Sequence, residues 1–332
     1  MDFVKGKKYD IIAVAHGLVD VLAYVDQKFL DNHKLVKGTM ELITTERALY
    51  LNQYLRYVKR ASGGSASNTM AGIASFGARA AIIARVKDDE LGAIFKRDIG
   101  MCGLDFKGTT ASSGSPTGRC FVAVSREDAE RTMSTYLGAA ADMDVSDLDE
   151  EAIKNSSILY IEGYLLDKQG SKEALMRAME IANSNDKIVS MTLSDKRCII
   201  QHRADLLNIL SKVDVVFANE NEIKTLFETT DLDVALKKIS DICSIATITR
   251  GKKGSVVVTP KKRYDVAAYA DPDKIVDTTG AGDLYASGFL YGIIKGMNLE
   301  KAARLGNMAA SEAISHMGAR PEITLHSLLN KL

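Results

Sequence analysis

Runs of consecutive apolar residues alternate with helix-like stretches through most of the chain. YDIIAVA (9–15), AAIIARV (80–86), ILYIEG (158–163), KIVSMTL (187–193), VDVVFAN (213–219) and SIATITR (244–250) read as strands buried on both faces, because their apolar residues run on instead of alternating. Helical patterns fall near 65–77, 90–100, 170–183, 201–212, 220–227, 281–296 and 298–316, the first ending at Gly77. Buried strands spaced by helices predict an α/β fold, a doubly wound and mostly parallel sheet with helices on both faces.

Two regions break the rhythm. Residues 18–44 hold LVDVLAYVD and GTMELIT, and residues 109–138 hold GRCFVAVS and RTMSTYLG joined by the charged turn REDAE. These short runs have one polar face and no helix between the second pair, so they predict a small antiparallel β-sheet projecting as a lid. With only four prolines and no repeat or low-complexity tract, residues 1–332 read as a single domain with this appendage.

Composition narrows the functional classes. Forty-three basic residues balance 43 acidic ones, so no global field recruits nucleic acid or an anionic membrane. The apolar stretches stay well below the roughly 20 residues of a membrane-spanning helix. The N-terminal apolar run is too short for a signal peptide, and Cys102, Cys120, Cys198 and Cys243 are widely spaced with no C-x-x-C pair. A cytoplasmic chain without a zinc site or a disulfide framework is expected.

The sharpest chemistry lies in DTTGAGD (277–283), directly before an apolar helical run. A helix start offers free backbone N–H groups and partial positive charge, and glycine lets an anion come close. Asp283 in that first turn has an ordinary role as a cap, worth about 1 kcal/mol. Capping alone does not call for Gly280, Ala281 and Gly282 in front of it. The reading that uses all four residues has the N–H groups of 280–282 holding a phosphoryl group while Asp283 accepts a proton from the attacking hydroxyl.

DTTGAGDLYASGFL resembles the C-terminal signature of the ribokinase (PfkB) family of sugar and nucleoside kinases. SGGSASNTMAGIASFG (62–77), NENE (219–222) and TRGKKG (249–254) resemble its other motifs, in the family's order and across essentially the whole chain. Within the family the likeness is greatest to the adenosine kinases, through GLVDVL (17–22), GGSASNT, the lid segment TGRCFVAVSREDAERTMSTYLGAA and YIEGYLLD (160–167). One departure is the strand end, His16-Gly17 where those kinases carry Gly-Asn.

The resemblance implies transfer of the γ-phosphoryl of ATP to a primary hydroxyl, with Asp283 as base and Arg131 neutralising transferring charge when the lid closes. Asp20, Asn68 and the Gly63-Gly64 backbone would hold sugar hydroxyls, with Ser65, His16, Leu18, Met133 and Tyr164 completing the acceptor site. Asn219 and Glu222 would hold Mg²⁺ largely through water. Thr249, Arg250, Gly251, Gly254 and Asn307 would line the nucleotide site. Asp277 and Thr279 would hold a monovalent cation such as K⁺, as in some members. The expected acceptor is a nucleoside, adenosine first, with a free sugar such as ribose or fructose as the alternative. The expected assembly is a monomer or a lid-mediated homodimer.

Rival readings fare worse. A Rossmann dehydrogenase needs G-x-G-x-x-G after the first strand, where AVAHGLVD stands. A P-loop needs G-x-x-x-x-G-K-[ST], which TRGKKGS does not supply. A non-catalytic module on the same fold has no reason to keep Asp283 and the small residues before it. Taken singly, Asp20 reads as a strand-end acid, Asn68 as a helix-start residue, Glu222 as an exposed acid and Tyr164 as core; their order along the chain lifts them above that.

Overall fold

A computed structural model describes residues 7–128, 130–269 and 275–332. Its main sheet has nine strands. In spatial order they are β16 (Arg263–Val266), β15 (Ser255–Val258), β14 (Ile245–Thr249), β13 (Val215–Asn219), β12 (Ile188–Thr192), β11 (Ser156–Glu162), β1 (Tyr9–Val14), β5 (Ala80–Ile83) and β7 (Asp105–Phe106). Pairing is parallel from β7 to β14 and antiparallel at β14–β15 and β15–β16. The expected strand 80–86 is split, with β5 continuing into β6 (Arg85–Lys87), which leaves the sheet to pair with β8 (Thr109–Ala111).

The pleat sorts the strand residues between two cores, as the unbroken apolar runs require. Ile12, Val14, Leu159 and Ile161 face a layer of α5 (Glu150–Lys154), α6 (Gln169–Ser184), α7 (Lys196–Leu210), α8 (Glu220–Leu226) and α9 (Leu232–Ser240). Ile11, Ala13, Ile158 and Tyr160 face α3 (Ser65–Ser75), α4 (Glu90–Met101), α10 (Ala281–Ile294) and α11 (Leu299–Ala313). This is the doubly wound, mostly parallel α/β arrangement that the pattern predicted, and the resemblance implied a ribokinase-like form of it. Helix α7 begins five residues before the expected 201, because the Asp195 carboxylate accepts from Cys198 N at 2.6 Å and caps it there.

Chain progression runs from β1 outward to β5 and β7, then returns to β11 on the other side of β1. The carboxyl ends of β1 and β11 therefore flank a topological switch point, where an open α/β sheet leaves a crevice.

Over that crevice lies a five-stranded sheet, ordered β3 (Met40–Leu42), β10 (Arg131–Tyr136), β9 (Gly118–Ser125), β2 (Leu18–Val25) and β4 (Lys59–Gly63). Two features correct the expected lid. The sheet is mixed, since β2–β9 and β10–β3 pair in parallel. Residues 109–111 sit with β6, and the fifth lid strand comes from 59–63, a charged, glycine-ended stretch that lacks apolar alternation.

The lid's period-two pattern serves two purposes. Val21, Ala23, Val25, Phe121 and Ala123 pack under α1 (Gln27–Asn32) and α2 (Thr45–Tyr54), forming a small core of their own with Leu30, Leu51 and Leu55. Leu18, Asp20, Leu22, Cys120, Val122, Arg131 and Met133 point the other way, into the crevice. The lid face away from the crevice is thus already covered by the chain's own helices. Leu51 is fully buried in that core. Leu51→Ala is expected to cost about 2–5 kcal/mol of lid stability, read as earlier loss of lid protection in hydrogen exchange while the main sheet keeps its protection.

Candidate active site

The crevice encloses a cavity of about 560 Å³, within the range of small-molecule sites. Its walls come from the lid, the ends of β1, β11 and β13, the start of α3, the start of α10 and the loop after α11. His16, Leu18, Asp20, Gly64, Ser65, Asn68, Arg131, Met133, Tyr164, Asn219, Glu222, Thr279, Gly280, Gly282 and Asp283 all line it. Gly63 and Ala281 flank it.

Asp283 sits in the first turn of α10, and both its oxygens are held from α3. Ser65 Oγ donates to one at 2.6 Å and Asn68 Nδ2 to the other at 3.1 Å. Burial pushes its pKa up to about 6, against the lowering effect of these two donors and of Arg320. Gly280 caps the helix in a left-handed conformation, φ 76°, and a Cβ there would run into Ala319. At Gly282 a Cβ would meet open space, so the head of α10 is uncovered on its cavity side. A helix of 14 residues whose first turn opens on a cavity beside a fixed carboxylate is suited to an anion next to a base.

The part of the cavity around Asp20 and His16 is as closely built. Asp20 projects from β2 over Gly63 of the neighbouring strand, where a Cβ would collide with the carboxylate. Burial raises the Asp20 pKa to about 6, with Arg320 and Arg131 opposing. Glu162, at the end of β11, joins two walls: its oxygens accept from His16 N at 2.8 Å and Ala66 N at 3.0 Å. His16 is buried, its pKa is lowered by burial to about 4, and its Nε2 has no partner among the described residues. Tyr164 donates from its hydroxyl to Asp195 at 3.1 Å, and the guanidinium of Arg197 lies 5.9 Å from its ring centre. Arg131 pairs with Asp277, tying the lid to the loop before α10.

Other expected residues sit differently. Asn219 and Glu222 form a reciprocal capping box at the start of α8, in which Asn219 N donates to Glu222 at 2.9 Å and Glu222 N to Asn219 at 2.9 Å. Burial raises the Glu222 pKa to about 7. Asp277, expected at a monovalent cation, accepts from Thr279 N at 3.0 Å and Gly318 N at 2.8 Å besides its pair with Arg131, so its carboxylate is taken up within the protein. Thr249, Arg250, Gly251, Gly254 and Asn307 are not among the cavity's lining residues. Arg250 is paired with Glu220 at 3.1 Å, and Asn307 Nδ2 donates to Ala267 O at 2.9 Å. Both contacts brace the outer end of the sheet.

Sequence reasoning missed Glu162, Arg197 and Arg320. An acid ending a buried strand was the one available signal for Glu162; nothing local distinguished the two arginines.

The pfkB family carbohydrate kinase model matches residues 37–325. The chain belongs to this family. Its members are phosphotransferases with an alcohol group as acceptor, using ATP with a divalent metal. The 5-dehydro-2-deoxygluconokinase of Geobacillus thermodenitrificans (strain NG80-2) is 29% identical over 309 residues, covering 90% of this chain and 91% of that protein. Among solved structures, a probable sugar kinase from Rhizobium etli CFN 42 is 38% identical with a TM-score of 0.92, covering 98% of each chain. The adenosine kinase from Sinorhizobium meliloti is 40% identical with a TM-score of 0.91, covering 98% of this kinase and 99% of its own chain. No helix among the described residues is long and apolar enough to cross a membrane.

The contact between Gly63 and Asp20 gives a test. In this kinase Gly63→Ala is expected to displace the Asp20 carboxylate and raise the acceptor KM roughly 10- to 100-fold, the loss of a charged hydrogen bond. The KM for ATP should stay unchanged in the same steady-state assay.

Proposed function

We propose that the chain phosphorylates a primary hydroxyl of a free sugar, with Asp283 as the base that orients and deprotonates it. The observation that carries this reading is the fixed carboxylate of Asp283 beside the uncovered first turn of α10. Asp20 accepts from sugar hydroxyls, and the neutral imidazole of His16 offers one more polar contact. The N–H groups of 280–282 hold the group in transfer, and Arg131 balances its charge from the lid. ATP supplies the phosphoryl group, and its divalent cation screens the phosphate charge.

The described residues contain no group of three or more His, Cys, Asp or Glu side chains that could hold a metal directly. The buried carboxylate of Glu222 and the Asn219 side chain suit a cation held through water and phosphate oxygens, as Mg²⁺ prefers. With Asp277 occupied by Arg131 and two backbone N–H groups, a K⁺ site would draw on backbone carbonyls there.

A second acceptor class is favoured by one observation. Cys120, Val122 and Val124 form an apolar cluster with Leu22, Met133 and Met317 on the cavity side of the lid. Such a wall suits a flat base more than the hydroxyls of a free sugar, and adenosine fits that description.

Two measurements test these readings. Asp283→Asn is expected to lower kcat by roughly 10²–10⁴-fold. Wild-type kcat/KM should fall as pH drops through about 6, because Asp283 must be ionised to take the proton and its pKa stands near 6. Equal turnover by both proteins sinks the role of Asp283.

Turnover and thermal shift with ribose, fructose, 5-dehydro-2-deoxygluconate and adenosine separate the acceptors. A bound acceptor at 100 times its Kd stabilises by about 2.7 kcal/mol. A response to adenosine alone overturns the free-sugar reading.

A further inference from the structure

The loop after α11 carries a side chain with no assigned role. Arg320 reaches across to the lid edge and the start of α3. Its Nε donates to Asn68 Oδ1 at 2.9 Å, its Nη2 to the Ser62 carbonyl and hydroxyl oxygens, both at 3.0 Å, and its Nη1 to Cys102 Sγ at 3.2 Å. Asn68 in turn donates from Nδ2 to Asp283 at 3.1 Å.

These contacts depend on one another. An amide side chain accepts at its oxygen and donates at its nitrogen. With a guanidinium on the oxygen, the NH₂ group faces Asp283. Turned over, the amide would set its oxygen against a carboxylate and its NH₂ against a guanidinium, and both contacts would repel.

We propose that Arg320 is a positioning residue for phosphoryl transfer, which fixes the amide of Asn68 and through it holds the carboxylate of Asp283 in its orientation. The inference deepens the proposed function and rests on Asp283 acting as the base.

The charges around Asp283 support it. Asp20 from β2, Glu162 from β11 and Glu222 from α8 are carboxyl groups whose charge and that of Asp283 oppose each other's ionisation, and the neutral phenol of Tyr160 from β11 lies beside them. Arg320 is the cation whose charge favours the ionised form of Asp283, and with Arg131 it does the same for Asp20. Removing it leaves Asp283 beside these acids without the cation that favours its ionised form.

The test is steady-state kinetics across pH on Arg320→Ala, Asn68→Ala, the double variant and Asp283→Asn. Arg320→Ala is expected to lower kcat by about 10²-fold, the scale of a misplaced catalytic group. Its acid limb should move to higher pH, with KM for ATP unchanged. In the Asn68→Ala background, where the amide is already gone, replacing Arg320 should change kcat far less. Arg320→Met keeps the bulk of the side chain beside Cys102 and gives the same readings on a folded protein if Arg320→Ala melts early. Wild-type kcat and acid limb in either Arg320 variant, or an equal loss in both backgrounds, overturn the proposal. An inactive Asp283→Asn beside an unaffected Arg320 variant sinks the role of Arg320 alone, whereas an active Asp283→Asn sinks the reading beneath it.

Discussion

A carboxylate buried at the head of a helix persists only where its oxygens are held, and the centre of this molecule is organised around that requirement at Asp283. The helix supplies the first turn, and Ser65 and Asn68 supply the two donors from a segment more than 200 residues earlier in the chain. Close packing of α3 against α10 brings them within reach, and Gly72, whose Cβ would collide with Ser287, permits that approach. The loop after α11 closes the arrangement through Arg320. Three distant segments thus meet in one hydrogen-bonded chain from Arg320 through Asn68 to Asp283, beside an open helix start.

The same economy governs the lid. One strand period divides each lid strand between a small private core under α1 and α2 and a cavity wall. Asp20 and Arg131 are two of the polar positions on that wall, and each is matched to a neighbour: Asp20 to the bare Cα of Gly63 on the adjacent lid strand, Arg131 to Asp277 in the body. The Arg131–Asp277 pair gives the lid a polar anchor on the loop that leads into α10.

Much of the body of the fold was legible beforehand. Short unbroken apolar runs suit strands covered on both faces, and helices between them favour parallel pairing. The lid was legible in outline but not in membership. Lys59–Gly63 looks like a polar loop because an edge strand has one neighbour and needs no apolar alternation. The N-x-x-E run was legible as a motif, while its reciprocal capping geometry emerged only in the structure. Glu162 was hidden at the end of an apolar strand, where its value lies in bridging His16 and Ala66, two backbone groups that lie far from it in sequence.

The sequence by itself determined the alternation of buried strands and helices, the glycine-lined helix start with its acid, and the polar positions at strand ends, because these follow from local periodicity and backbone conformation. Tertiary structure alone decided which of those groups share a cavity and in what state of charge. Burial raises Asp20 and Asp283, the charge of Asp20 adding to it at Asp283, and Arg320 arrives from the far end of the chain to oppose it. Desolvation and through-space charge depend on distances that no local pattern encodes, and so the electrostatics of the site could be read only from the folded chain.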